Sequence, residues 1–286
     1  MLQRLFGCSL RQTRKMRFPI LAESPWLRRT LHDAPPTPPI PSIRISLEGN
    51  IAAGKSTFLE ILRKEFDVQT VAEPVSRWQN IPREDGGSDN LLDLFYSDPK
   101  RWAYTFQTFA FLSRMQAQME PVQGNPGQVV VYERSVLSDK FIFAANCAQS
   151  GLFNSVEWAL YRDWHEWLVN SFETNLDGIV YLRASPSTCL QRLHSRGRGE
   201  ETSVPLTYLQ ELHDRHEEWL QPAKPHGSTA TPSTKAAPMV LVLDAEGDIL
   251  ASPERGAANL EKTREFIALV RASRSAVSGP TGVPRA

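Results

Sequence analysis

The chain has 286 residues with 32 basic and 32 acidic side chains, so its formal net charge at pH 7 is zero. The balanced charge argues against a nucleic-acid partner, and no apolar run reaches the ~18 residues that a membrane span needs. The three cysteines are scattered without a C-x-x-C pair, which argues against a disulfide framework and a structural zinc site.

The first 31 residues are basic, with seven arginine or lysine side chains against one acid, Glu23. An arginine-rich, acid-poor segment with interleaved apolar residues is typical of a mitochondrial transit peptide, whereas a secretory signal needs a continuous apolar core. The prolines of segment 34–41 exclude both helix and central strand. We therefore expect residues 1–41 to be a transit peptide and Pro-rich linker for import into the mitochondrial matrix. The alternative is a basic tail that stays on the protein.

A strand predicted at 43–47 leads directly into G-x-x-x-x-G-K-S, the phosphate-binding loop. Its glycines let backbone N–H groups point at a phosphate, Lys55 adds positive charge, and the Ser56 hydroxyl can bind Mg²⁺. The following helix places the positive end of its dipole behind the anion. The motif predicts a nucleoside triphosphate site formed by Gly49, Asn50, Ile51, Ala52, Ala53, Gly54, Lys55, Ser56 and Thr57.

Four more apolar strands are predicted at 68–71, 129–132, 179–182 and 240–243, with helices between them and a last helix over 259–272. Continuous apolar strands that alternate with helices indicate a parallel sheet covered on both faces. We predict one α/β domain over residues 42–272 with a five-stranded parallel sheet, followed by a disordered tail at 273–286. The polar stretches 83–90 and 221–238 are predicted to be a loop and an exposed or disordered insertion.

Charged side chains follow two of these strands: Glu73 after the second, and Glu133 with Arg134 after the third. Ligands of open α/β sheets bind at the carboxyl ends of the strands. A carboxylate there can accept a proton from an attacking hydroxyl or help to hold Mg²⁺, and an arginine can neutralise charge on a transferred phosphoryl group. With the loop, these residues indicate phosphoryl transfer to an alcohol.

A predicted helix carries Gln107, Phe111 and Arg114 at positions i, i+4 and i+7, which share one face. An amide, an aromatic ring and a guanidinium on one face suit a planar, polar heterocycle. The alternative is an aromatic core stripe with solvated polar neighbours.

Five segments in order resemble the deoxyribonucleoside kinases, which transfer the γ-phosphate of ATP to the 5′-hydroxyl of a deoxynucleoside. They are G-N-I-A-A-G-K-S-T at 49–57, E-P-V-S-R-W-Q-N at 73–80, R-W-A-Y-T-F-Q-T-F-A-F-L-S-R at 101–114, E-R-S-V-L-S-D-K-F-I-F at 133–143 and R-G-R-G-E-E at 196–201. The resemblance implies a P-loop kinase fold with an arginine-rich lid. The segment F-Q-T-F-x-F-L-S-R and the basic leader look most like the mitochondrial deoxyguanosine kinase branch. That branch implies a role in purine salvage, with deoxyguanosine preferred over deoxyadenosine.

The resemblance also implies roles by position. Glu73 is the expected general base, Arg134 contacts the 5′-oxygen and the phosphoryl group, and Glu133 is a Mg²⁺ partner with Ser56; either carboxylate can be the proton acceptor. Tyr96 and Glu201 would bind the sugar 3′-hydroxyl. The base edge would be recognised by Gln107, Arg114 and Asp139. An arginine–aspartate pair suits guanine, which presents both donors and acceptors.

Further implications concern the donor side. Arg192, Arg196 and Arg198 would close over the phosphates, and Gly247, Asp248 and Ile249 would face the donor base. At this loop the sequence departs from the family, because Gly247 and Ile249 replace bulkier acidic and aromatic residues, which leaves donor preference open. The family also implies a homodimer of paired long helices. His213 and His216 are expected at the surface without a role.

Two alternatives remain open. One is a deoxycytidine or broad-specificity kinase of the same fold. The other is a non-enzymatic P-loop switch, although the chain lacks an N-K-x-D motif and a D-x-x-G motif after a strand.

Overall fold

A computed structural model of the chain describes residues 42–120, 127–221, 237–247 and 253–277. The transit peptide and linker predicted at 1–41, nearly all of the insertion, and the predicted donor residues Asp248 and Ile249 lie outside the described residues.

The described strands, in chain order, are β1 (Ile43–Gly49), β2 (Val68–Val71), β3 (Ile81–Pro82), β4 (Ser88–Asp89), β5 (Val129–Glu133), β6 (Gly178–Arg183) and β7 (Met239–Asp244). Five of them form one parallel sheet in the order β2–β5–β1–β6–β7, which confirms the predicted sheet. The strands β3 and β4 form a small antiparallel hairpin around the predicted polar loop. The central strands are buried because helices cover both faces of the sheet.

The described helices are α1 (Lys55–Glu65), α2 (Val75–Gln79), α3 (Leu91–Ser97), α4 (Pro99–Met119), α5, α6 (Ser155–Ser171), α7 (Pro186–Arg196), α8 (Leu206–Leu220) and α9 (Pro253–Val277). Helix α5 has three consecutive segments, Val136–Ser138, the π-helical Asp139–Ala144 and Ala145–Gln149. A 3₁₀ turn, Gly199–Glu201, lies between α7 and α8. Among these ranges, no helix has both the length and the apolar character needed to cross a membrane.

Local sequence signals set where several helices begin. Asp98 caps α4 and is followed by Pro99, and Ser185 caps α7 and is followed by Pro186. A capping serine or aspartate satisfies a free N–H group of the first turn, and proline at the first position has none to satisfy.

The last helix differs from its prediction at both ends. It begins at Pro253 and ends at Val277, six residues before and five residues after the predicted limits of 259 and 272. The extra turn contains no glycine or proline, and Arg274 forms an ion pair of 2.5 Å with Asp177, which lies just before β6. The ion pair with Asp177, a residue distant in sequence, therefore stabilises the last turn of the helix, which the sequence alone assigned to the tail.

His216 is buried, contrary to the prediction that it lies at the surface. It stacks on Tyr181 with ring centroids 5.6 Å apart, and its Nδ1 bonds the backbone oxygen of Leu212 at 2.6 Å. The polar neighbours of His216 in sequence point away from this packed face of α8, which also contains Leu209 and Leu220.

Candidate active site

A cavity of about 740 Å³ opens where β1, β2 and β5 end, at the carboxyl edge of the sheet. Most of the residues singled out in the sequence line it. They are Ile51, Ala52, Ala53, Gly54, Lys55, Ser56, Thr57, Glu73, Tyr96, Gln107, Arg114, Glu133, Arg134, Asp139, Arg192, Arg196, Arg198 and Glu201. The wall does not include Gly49, Asn50 or Gly247.

Gly49 and Asn50 shape the phosphate-binding loop from beneath. Gly49 has φ 149°, and a Cβ placed on it would lie 2.7 Å from the backbone oxygen of Leu182. The Asn50 amide donates to the backbone oxygen of Leu209 at 2.8 Å, and its Oδ1 accepts from Ile51 N at 2.8 Å. Contacts within the protein thus fix the shape of the loop.

Lys55 lies inside this loop and is buried. Its Nζ donates to the backbone oxygens of Asn50 at 2.7 Å and Gly49 at 3.2 Å. Burial and the nearby Arg134 guanidinium lower the Lys55 pKa to about 7. A bound phosphate would favour the charged form of Lys55, because an opposite charge stabilises an ammonium group.

The Ser56 hydroxyl donates to Glu133 Oε1 at 2.7 Å. A hydroxyl and one carboxylate side by side fit Mg²⁺, which is usually held by one or two carboxylates together with substrate phosphates and water. In the described part of the chain, no cluster of three or more His, Cys, Asp or Glu residues could hold a metal by itself. The donor set therefore suits a metal that arrives with a nucleotide.

Arg114 bridges two carboxylates, because its guanidinium bonds both Asp139 and Glu73. Arg134 Nε lies 3.3 Å from the same Glu73 oxygen. Both arginines and Asp139 are buried, and Glu73 is half-buried, so these charges interact in a region of low dielectric. The network places a catalytic candidate, Glu73, in direct contact with a candidate for base recognition.

Two pKa shifts follow from this network. Burial alone would raise the pKa of Glu73, but Arg134 and Arg114 together lower it below its usual value. Burial raises the pKa of Asp139 to about 6, although Arg114 opposes the rise. Glu73 is therefore ionised at neutral pH and able to accept a proton.

Tyr96 and Glu201 line the same cavity. Burial and the Glu201 charge raise the pKa of Tyr96, so its hydroxyl stays protonated and can donate. Glu201 is paired with Arg196 and, at 3.0 Å, with Arg198. Two arginines of the segment 192–201, which we call the lid segment, therefore contact the carboxylate predicted to bind the sugar.

Arg192 connects the lid segment to the phosphate-binding loop and to the loop after β7. It donates to the backbone oxygens of Gly247 at 2.9 Å and Ala53 at 3.3 Å. Gly247, which was predicted to touch the donor, thus contacts Arg192 and does not line the cavity.

The sequence did not predict two hydrogen bonds that connect Glu200 of the lid segment to residues outside it. Glu200 Oε1 accepts hydrogen bonds from Asn90 at 2.7 Å and Gln79 at 2.8 Å, and the bond from Asn90 is the main cause of its lowered pKa. Gln79 and Glu200 lay in segments that resemble the family, but nothing in the sequence indicated that they meet.

The aromatic ring predicted on the α4 face is not where it was expected. Phe111 faces α6 and stacks on His165 with centroids 4.9 Å apart, because it lies roughly 60° around the helix from Arg114. The rings that do line the cavity include Phe106 and Trp78, which contact edge to face at 5.5 Å. Trp78 lies in the segment 73–80 that resembles the family, and this was the signal in the sequence that could have identified it.

Known proteins are similar to this chain over most of its length. The profile of the deoxynucleoside kinase family matches residues 45–268. The chain is 42% identical over 248 residues to deoxycytidine kinase 1 of Xenopus laevis, covering 78% of this chain and 90% of that one. It is 46% identical over 196 residues to deoxycytidine kinase of Homo sapiens (62% and 75%). It is 42% identical over 240 residues to a mitochondrial deoxyguanosine kinase of Xenopus laevis (79% and 89%).

Proposed function

Because the chain belongs to the deoxynucleoside kinase family, we propose that it transfers the γ-phosphoryl group of ATP to the 5′-hydroxyl of purine deoxynucleosides, with deoxyguanosine preferred over deoxyadenosine. The observation that carries this proposal is the buried set of Gln107, Arg114 and Asp139 in the cavity that also contains the phosphate-binding loop. Membership of a kinase family argues against the alternative of a non-enzymatic switch.

The polar set suits guanine. Gln107 is buried in the cavity wall, and Arg114 Nε has no hydrogen-bond partner among the described residues. Arginine donates to the acceptors O6 and N7, and a carboxylate accepts from the N–H groups of the ring edge. A site with buried, unpaired donors binds a base that satisfies them and rejects one that does not.

Deoxycytidine is the second candidate acceptor. Deoxycytidine kinases of several vertebrates match this chain at identities similar to that of the deoxyguanosine kinase. An arginine–aspartate pair can also satisfy the donor and acceptor of a cytosine edge.

Steady-state kcat/KM of the purified protein on the four deoxynucleosides distinguishes these candidates. We expect deoxyguanosine to give the highest value and deoxyadenosine to follow. A higher value for deoxycytidine supports the second candidate, and faster turnover of thymidine than of deoxyguanosine refutes the purine proposal.

The reaction assigns one task to each charged residue. Ionised Glu73 accepts the proton of the 5′-hydroxyl, Arg134 stabilises the charge on the transferred phosphoryl group, and the loop holds the remaining phosphates. Ser56 and Glu133 would hold Mg²⁺, which neutralises charge on the β- and γ-phosphates when bound. Glu73→Gln should lower kcat about 10²- to 10⁴-fold, and an unchanged rate would refute the assignment of the base.

The proposal extends to the mitochondrial matrix because of the basic leader and the similarity to a mitochondrial relative. Residues 1–41 fused to a fluorescent protein should direct it to mitochondria. A diffuse cytosolic signal would refute this location.

We also propose a homodimer. Helix α6 exposes apolar residues one helical turn apart, including Val156 (64% exposed), Trp164 (54%) and Trp167 (57%). Leu112 of α4 is also exposed beside them, where the two helices border a further cavity. Such a patch supports pairing with a second copy, because monomers rarely expose large contiguous apolar surfaces.

A further inference from the structure

Glu48 is a buried carboxylate that the reaction described above does not use. It is 0% exposed, precedes the first glycine of the phosphate-binding loop, and does not line the cavity. Its Oε1 accepts a 2.7 Å hydrogen bond from Ser135 Oγ, and its Oε2 has no hydrogen-bond partner in the described ranges. Burying a carboxylate is unfavourable unless it is paired, so Glu48 needs an explanation beyond packing.

Its partner, Ser135, is next to a strained residue. Arg134 has φ 65°, a left-handed conformation that residues with a Cβ rarely adopt and that persists only when the surroundings enforce it. Two hydrogen bonds from β1 act on this turn. Arg134 N donates to the backbone oxygen of Leu47 at 3.0 Å, and Ser135 Oγ donates to Glu48.

The same serine also begins helix α5. Its Oγ accepts from Ser138 N at 3.4 Å, and the next residue is Asp139. Burial lowers the pKa of Arg114, but the charges of Asp139, Glu73 and, to a smaller extent, Glu48 raise it. Glu48 thus acts on the turn that contains Arg134 through Ser135, and its charge is only a minor influence on Arg114.

We propose that Glu48 is a positioning residue for phosphoryl transfer: by holding Ser135, it keeps the turn after β5 in the conformation that directs Arg134 into the cavity. This inference rests on the kinase activity of the family and is independent of which deoxynucleoside is the acceptor. A relaxed turn would leave both substrate sites in place but would displace the guanidinium. A displacement of about 1 Å at a reacting group can cost roughly 100-fold in rate.

The test compares Glu48→Leu, which removes the acceptor, with Ser135→Ala, which removes the donor, and Glu48→Gln, which keeps a carbonyl oxygen. We measure kcat, the KM of ATP and of the best deoxynucleoside, and the Tm. E48L and S135A should lower kcat about 10- to 100-fold with both KM values changed less than about threefold. E48Q should restore kcat to within about fivefold of the wild type, because its amide oxygen can still accept.

Two controls separate positioning from loss of stability. Thr263→Val removes a buried hydroxyl bond of 2.7 Å to Asn259 in α9, far along the chain, and should lower the Tm while leaving kcat unchanged. In an Arg134→Ala background, E48L should lower kcat less than about twofold further, because the group through which Glu48 acts is missing.

The proposal is overturned if E48L lowers the Tm but keeps the wild-type kcat, or if its full loss of kcat persists in the R134A background. If E48L fails to fold, S135A replaces it in the test. Its kcat is then compared with that of the wild type, and the kcat of the S135A/R134A double variant with that of R134A. A wild-type protein inactive on every deoxynucleoside refutes the proposed function instead.

Discussion

Arg114 joins two tasks that the sequence assigned to separate residues. Its guanidinium bonds Asp139, a candidate for reading the base, and Glu73, the candidate proton acceptor. A base that engages Arg114 therefore changes the field around Glu73 at the same time. Because the arginine lowers the pKa of Glu73, any movement of Arg114 toward the base makes Glu73 a stronger proton acceptor.

The pH dependence of kcat/KM tests this coupling. Removing Arg114 removes one cause of the lowered Glu73 pKa, so Arg114→Met should move the acid limb of the profile to higher pH. The comparison is made with Asp139→Asn present in both proteins, because Asp139 has a pKa of about 6 and would otherwise titrate in the same range.

Arg101→Met is the matched control, since Arg101 lies on the same helix but is exposed and stacks on Trp102. It should leave the acid limb where it is. An acid limb unmoved by R114M would indicate that the proton acceptor is Glu133, which bonds Ser56 and, among the described residues, forms no ion pair with Arg114.

At the scale of elements, the phosphate-binding loop depends on one close approach. Gly49→Ala would place a Cβ 2.7 Å from the backbone oxygen of Leu182, in a region of φ that side chains avoid. We expect G49A to lower the free energy of unfolding by about 1–3 kcal/mol and to abolish detectable ATP binding. Urea unfolding and calorimetric titration with ATP measure the two effects.

Gly199→Ala is the matched control for stability, because its added Cβ would meet no atom within 4 Å. The free energy of unfolding of G199A should stay within about 0.5 kcal/mol of the wild type. Wild-type stability in G49A would contradict the close approach at β6.

Elements with a local signal were predictable. Strands β5, β6 and β7 contain continuous apolar runs and the loop is a fixed motif, so these could be read from neighbouring residues. The turn at 273–277, the burial of His216 and the orientation of Phe111 depend on Asp177, Tyr181 and α6, which are distant in sequence. No local pattern specifies such contacts.

In the candidate site, the sequence could likewise predict only those positions that follow from the arrangement of the strands. Strand-end residues such as Glu73 and Glu133 converge because parallel strands end at one edge. Side-chain geometry cannot be derived from the spacing of residues in the sequence. It determines the ion pairs of Arg114, the hydrogen bond between Ser135 and Glu48, and the hydrogen bonds to Glu200.

At the scale of the whole molecule, the exposed face of α6 predicts that a substitution in it changes the mass of the protein in solution. Trp164→Glu places a charge in the apolar patch and should convert the proposed dimer to a monomer, as measured by light scattering after gel filtration. Arg162→Gln makes the same change in charge on the opposite side of α6 and should leave the mass unchanged. A wild-type monomer, or a dimer that survives W164E, would contradict the proposal.

Two buried histidines, His165 and His216, predict that the fold loses stability in acid. Burial lowers the pKa of His165 to about 4, and burial with the Arg134 charge lowers that of His216. The neutral His165 ring donates from Nε2 to the backbone oxygen of Val136 at 2.8 Å. Its ordinary pKa near 6.5 returns on unfolding, so the unfolded chain binds more protons between pH 6.5 and 4. Stability therefore falls as pH falls through that window.

His165→Gln keeps a donor for Val136 but cannot titrate. The drop in unfolding free energy between pH 7 and pH 5 should be smaller in H165Q than in the wild type by about 2 kcal/mol. His194→Gln, at an exposed histidine of α7, is the matched control and should leave that drop unchanged. Urea unfolding at the two pH values gives both differences. An equal drop in H165Q and the wild type would mean that His165 is not the group that takes up the proton, and the acid loss would then belong to His216 and the carboxylates.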